Sequence, residues 1–110
     1  MSSNPLIALE NEADQLKVDG KYDEAIAKLE EALAIDEKFA RAYLGLSVLY
    51  HKKEQYKKSV EMAEKAVELE PGDPFNYSAL SVTCQRAFEG TKDPIYIQKA
   101  EDAMARSRGT

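Results

Sequence analysis

The chain has no tryptophan, one histidine, one cysteine, four prolines and five glycines in 110 residues. A lone cysteine, Cys84, can neither close an intrachain disulfide nor alone supply a thiolate zinc site, so packing and hydrogen bonding must hold the fold. Valine, isoleucine and threonine are scarce, at 5, 5 and 3, which argues against a sheet. No apolar run approaches the ~20 residues of a spanning helix, and Met1 to Asn4 lack the charged and apolar regions of a secretory leader. A cytoplasmic protein with no membrane partner is therefore expected. The 15 basic residues are outnumbered by 20 acidic ones, a net charge of -5 with no general attraction for a phosphate backbone, so nucleic acid is not an expected partner either. The sequence has no Gly-rich phosphate loop, no HExxH and no EF-hand loop, and neither a cofactor nor a metal is expected.

What is abundant is alanine, 15 residues, and leucine, 10, within a composition that is 44% hydrophobic and 32% charged. That combination is globular and favours an all-α fold, taken as a single domain over 1–110. Glycine and proline fall almost entirely at boundaries, and only Gly45 interrupts a helical pattern. Asn4-Pro5, Asp73-Pro74 and Asp93-Pro94 repeat one device: a short polar side chain accepts from free helix N–H groups while proline takes the first helical position. Leu29, Ala32, Leu33 and Ala63, Ala66, Val67 follow the i, i+3, i+4 spacing of one buried stripe. Six helices are expected, near 5–19, 22–35, 39–53, 56–70, 74–89 and 94–108.

Tyr22, Ala25, Ala32, Leu33 and Ile35 recur as Tyr56, Ser59, Ala66, Val67 and Leu69, every pair at the same offset, and Ala13 recurs as Ser47 at that offset too. Small residues at Ala13 and Ala25, and at Ser47 and Ser59, let the two helices of a hairpin approach closely. The repeating unit is a helix-turn-helix.

On these residues the sequence resembles the tetratricopeptide repeat family. Residues 40–73 match best, with Tyr43, Leu46, Ser47, Tyr50, Tyr56, Ser59, Ala66 and Pro71 at motif positions. Residues 6–39 follow, although Leu9 stands in place of the usual aromatic and Glu37 in place of the closing proline. Residues 74–108 start a third repeat at Tyr77, Leu80 and Ser81, but strict continuation would set Pro94 inside its second helix. Seven extra residues, read as a loop near 88–93, bring Ile97, Ala100, Met104 and Ser107 into register. The resemblance implies three stacked antiparallel hairpins, a TPR-like α-solenoid with an irregular third repeat.

The resemblance also implies a concave groove lined by the first helices, here Ile7, Glu10, Asp14, Lys17, Arg41, Leu44, Val48, His51, Lys52, Phe75, Ser78, Val82, Gln85 and Arg86. Leu44, Val48, Phe75 and Val82 form an apolar middle suited to a partner helix or extended segment, flanked by Arg41 and Arg86. The family's carboxylate clamp for chaperone tails would fall on Glu10, Asp14, Gly45, Phe75 and Ala79, none of which donates to a carboxylate. Lys52, Lys53, Lys57 and Lys58 with His51 concentrate positive charge at one turn, while residues 1–39 hold 10 acids against 4 lysines. Cys84 and His51 fall on adjacent first helices, yet Cys84 takes the packing position of Tyr50, which points to an inert buried thiol. The reading that results is a non-catalytic protein- or peptide-binding adaptor or scaffold. The alternative is a self-assembling module, a homo-oligomer whose groove another copy covers.

Overall fold

The computed structural model describes residues 4–109, so Met1 to Ser3 and Thr110, including most of the segment read for a leader, lie outside it. Six helices follow in order: α1 (Pro5–Val18), α2 (Tyr22–Ile35), α3 (Ala40–Lys52), α4 (Tyr56–Leu69), α5 (Pro74–Thr91) and α6 (Ile95–Ser107). No strand occurs among the described residues. Successive antiparallel pairs stack into an elongated array of 45 × 29 × 19 Å.

Pro5 and Pro74 take the first helical position as their sequences dictate, whereas α6 begins one residue later than expected, at Ile95, with Pro94 at its N-cap. Asn4 Oδ1 accepts from the Leu6 amide at 2.9 Å, Asp73 Oδ1 from Phe75 at 2.9 Å and Asp93 Oδ1 from Ile95 at 3.1 Å. Each satisfies a donor that the first helical turn leaves without an intrahelical acceptor. The first two hairpin turns share one backbone device at equivalent positions of the repeat, with Gly20 at φ 77° and Glu54 at φ 61°. Glycine adopts this left-handed conformation freely, whereas glutamate is strained in it.

Within each hairpin a pair of small residues sets the approach. Ala13 and Ala25 are buried in the first. In the second, Ser59 Oγ donates to the Ser47 carbonyl at 2.6 Å. In the third, Ser81 Oγ donates to the Ala100 carbonyl at 3.0 Å. The paired residues are 12 apart in the second hairpin and 19 apart in the third, which fixes the insertion at seven residues. Ala100 therefore occupies the place of Ser59, although the strict repeat offset would align it with Ala66.

The extra residues do not form the loop expected near 88–93. They lengthen α5 to 18 residues, against 13 or 14 in every other helix, and only Lys92, Asp93 and Pro94 remain between α5 and α6. The added turn is held by packing: Ala87 is buried with Val60, and Gly90 lies directly against the Tyr56 ring. Gly90, expected at a boundary, is thus helical. Lys92 ends the helix in the left-handed conformation at φ 62°.

Two apolar clusters form the interior. One joins the first two hairpins through Ile26, Leu29, Leu46, Leu49 and Tyr50 with the small residues between them. The other joins the last two through Val60, Cys84, Ala87 and Ala100. The helices approach closely because much of what they bury is alanine or serine: Ala25, Ala32, Ala63, Ala66 and Ser81 have no accessible surface. Gly45 extends the same device between hairpins, since a methyl group there would stand 2.7 Å from Leu29 Cδ1. The buried amide of Asn76 ties the start of α5 to the end of α4, reaching the carbonyls of Ala66 and Glu70 at 3.4 Å each.

Candidate functional site

The groove residues anticipated from the sequence fall on α1, α3 and α5, the first helix of each hairpin. Ser47 Oγ and Thr83 Oγ1 meet at 3.3 Å where α3 packs on α5. Leu44 and Val48 on α3 are half-buried. Phe75 and Val82 on α5 are 66% and 41% exposed. Positions 75, 78 and 82 share one stripe of α5, because seven residues are nearly two full turns. Ser78, at the centre of that stripe, is half-buried and its hydroxyl lies 2.6 Å from that of Ser107, so it is engaged with the end of α6.

The charged members behave differently from one another. Arg41 reaches across to α1, where Nε donates to Glu10 Oε2 at 3.1 Å and a terminal nitrogen contacts Oε1. Its guanidinium also lies 5.8 Å from the centre of the Phe39 ring. The cation expected to flank the apolar middle is therefore already paired, and the pair clips α1 to α3. Lys52 and Arg86 are exposed and form no ion pair among the described residues. Gln85 lines the cleft between α5 and α6.

His51 sits at the end of α3 with its ring 5.7 Å from that of Tyr56, tilted by 56°. Its Nδ1 is buried without a hydrogen-bond partner. Burial holds the imidazole pKa below its ordinary value, and the nearby charges of Arg86 and Lys52 lower it further against the opposing pull of Glu89. The ring is thus kept neutral at the point where two unpaired cations converge.

The lysine-rich turn is partly spent on the fold. Lys53 pairs with Asp23 at the start of α2. Lys58 lies 4.8 Å from the centre of the Tyr50 ring, a cation–π contact. Among the described residues no group of three or more His, Cys, Asp or Glu side chains could hold a metal ion. Among the described residues no helix is long and apolar enough to cross a membrane.

Cys84 packs with Val60, Ala87 and Ala100 and has no accessible surface. Burial, with a smaller contribution from Glu64, pushes its thiol up to about 11. A neutral, enclosed thiol is a poor nucleophile at neutral pH.

The clamp positions are no better suited to a carboxylate in three dimensions. Glu10 is bound to Arg41, and Gly45 lies against Leu29. The feature that the groove inference missed is a cleft of about 670 Å³ between α5 and α6, walled in part by Phe88, Ile97 and Met104. A signal for it was present: the seven-residue shift sets Glu101 and Arg108 where the preceding repeat has Val60 and Val67.

Solved structures share this architecture. The globular C-terminal domain of P. aeruginosa LpoP is 19% identical with a TM-score of 0.83, covering 94% of this chain and 98% of that one. The second TPR of Spaghetti (RPAP3), bound to the HSP90 peptide SRMEEVD, is 17% identical with a TM-score of 0.75, covering 96% of this chain and 91% of that one. YrrB, a TPR protein with an unusual peptide-binding site, is 25% identical with a TM-score of 0.61 over 88% of this chain, which spans 57% of YrrB. No curated protein matches the chain at a significant level. The tetratricopeptide repeat family matches residues 19–81, more than half of the 110, across the hairpins that carry the sequence repeat, and the chain belongs to that family.

Proposed function

We propose that the protein is a non-catalytic binding module, an adaptor or scaffold, that takes a protein or peptide segment across the face formed by α1, α3 and α5. The observation that carries this reading is the stripe on α5, where Phe75 and Val82 stand exposed, with Leu44 and Val48 half-buried on α3, the helix that α5 meets at Ser47 and Thr83. Large apolar side chains aligned on one helix face gain from being covered, and an aromatic is the usual anchor of such a contact. Lys52 and Arg86, beside the neutral His51 ring, give the groove a cationic end, so the segment bound would carry an acidic residue there. RPAP3 and YrrB, which share the fold, each have a peptide-binding role stated for them, and this supports the same use of the family's architecture here.

The test is selection of binders from a displayed library of random peptides against the folded protein. Selected peptides should bind the native protein and lose more than about tenfold in affinity on Phe75→Ala, with helical content unchanged. Peptides that bind the Phe75→Ala and Leu44→Asp variants as well as the native protein would place the working surface elsewhere.

A further inference from the structure

The cleft between α5 and α6 repeats the array's own helix seat, and no helix among the described residues fills it. In the preceding repeat the equivalent seat is filled by α5. There Ser47 meets Thr83, the Tyr56 ring lies on Gly90, and Val60 clusters with Cys84 and Ala87. In the end seat Ser81 stands for Ser47 and Ile97 for Tyr56. An apolar floor persists in Phe88, Ile97 and Met104, but the charged Glu101 and Arg108 replace Val60 and Val67. Glu89, Glu101 and Arg108 line this cleft and form no ion pair among the described residues.

These charges select the occupant. Continuing the stack in its own sense would set the outer face of another copy's first hairpin against the seat, and that face is lined by Glu12, Glu24 and Glu31 against Lys28. Acidic residues would then face Glu89 and Glu101, an arrangement that like-charge repulsion opposes. A two-fold arrangement reverses the sign. Ile97, Glu101, Met104 and Arg108 lie at i, i+4, i+7 and i+11, one stripe of α6. Laying α6 antiparallel on α6 of a second copy, with the axis beside Met104, sets Glu101 opposite Arg108 of the second copy, and the pair forms twice.

We propose that the end seat is the interface of a symmetric dimer of this chain, with Met104 beside the axis and reciprocal Glu101–Arg108 pairs fixing the register. The face made by α1, α3 and α5 stays open in that dimer. Peptide binding and dimerisation are therefore separable, and Phe75→Ala should leave the dimer untouched.

Sedimentation velocity of the native chain from ~1 to ~100 µM tests this, a range in which a specific small-domain interface populates both species. The expected result is a concentration-dependent monomer–dimer equilibrium. Arg108→Glu should raise its dissociation constant at least about tenfold, and Glu101→Arg added to Arg108→Glu should return it to near the native value, because the swapped charges pair again. A chain that stays monomeric throughout the range overturns the proposal, as it would if the seat served the helix of a foreign protein. So does a dimer indifferent to Arg108→Glu, or one that the double swap fails to restore.

Discussion

The ring of Tyr56 rests against the backbone of Gly90, where a methyl group would come within 2.8 Å of Cε1 and closer still to Cζ. This contact explains a glycine in the last turn of α5, where helix propensity alone would favour alanine by ~1 kcal/mol. Gly90→Ala should nevertheless destabilise the protein, because overpacking costs typically ~1–3 kcal/mol and the half-buried ring is hemmed in by His51. In a Tyr56→Ala background the same change should become neutral or stabilising by up to ~1 kcal/mol. Urea denaturation of the four proteins in this cycle measures the coupling, and additive effects would show that Gly90 answers to something other than the ring.

Glu54 occupies the turn position that Gly20 holds in the first hairpin, both with positive φ. A left-handed residue with a Cβ costs roughly 1–2 kcal/mol, and glycine removes that strain at an entropic cost of about 0.5–1 kcal/mol. Glu54→Gly should therefore stabilise the protein by up to ~1 kcal/mol. A rise in thermal midpoint is the expected readout, and a clear fall would mean that the glutamate side chain contributes a contact outweighing its strain.

Much of this architecture was legible because the repeat writes the same packing problem more than once. The echo of Tyr22 in Tyr56 and of Ala25 in Ser59 fixed the hairpins, and the three Asx-Pro pairs fixed three helix starts, the last to within one residue. The length of α5 was not legible, because Gly90 and Thr91 carry the local chemistry of a helix end while the reason to continue, the Tyr56 ring, lies in the preceding hairpin. Arg41 shows the same limit for the groove. The repeat register placed it on the concave helix face, but its pairing with Glu10 depends on side-chain reach between helices 31 residues apart. The end seat required knowing which second-helix residues face a neighbour, and the insertion had displaced those by seven.

Cys84 gives the protein a weak point at high pH. Its folded pKa is raised from 9.0 to about 11, so above pH 9 the unfolded chain releases the thiol proton first. Where the unfolded state holds fewer protons, stability falls as pH rises, here across the window from 9 to 11. Two units correspond to a loss on the order of 2–3 kcal/mol by pH 11. Cys84→Ala lacks this contribution, so the difference between the two proteins' stability curves isolates it from tyrosine and lysine titration. A flat difference from pH 8 to 11 would contradict the buried setting, as would rapid labelling of the native thiol at pH 7.

His51 offers the opposite sign at low pH, and as the chain's one histidine it can be followed without assignment ambiguity. Its folded pKa lies below 6.5, first through burial and then through Arg86 and Lys52. As pH falls through 6.5 the unfolded chain binds the proton before the folded one does. The histidine therefore leaves stability undiminished above 6.5 and reduces it progressively below, until the folded ring is protonated as well. Proton NMR of the imidazole should give a midpoint below 6.5 that rises on Arg86→Ala or Lys52→Ala and falls further on Glu89→Gln. His51→Gln should remove the corresponding slope of stability between neutral pH and 5. An acidic peptide seated against Lys52 and Arg86 would neutralise the charges that hold the pKa down. Its addition should raise the midpoint, and a midpoint unchanged at saturating peptide would show that the segment binds away from the cationic end of the groove.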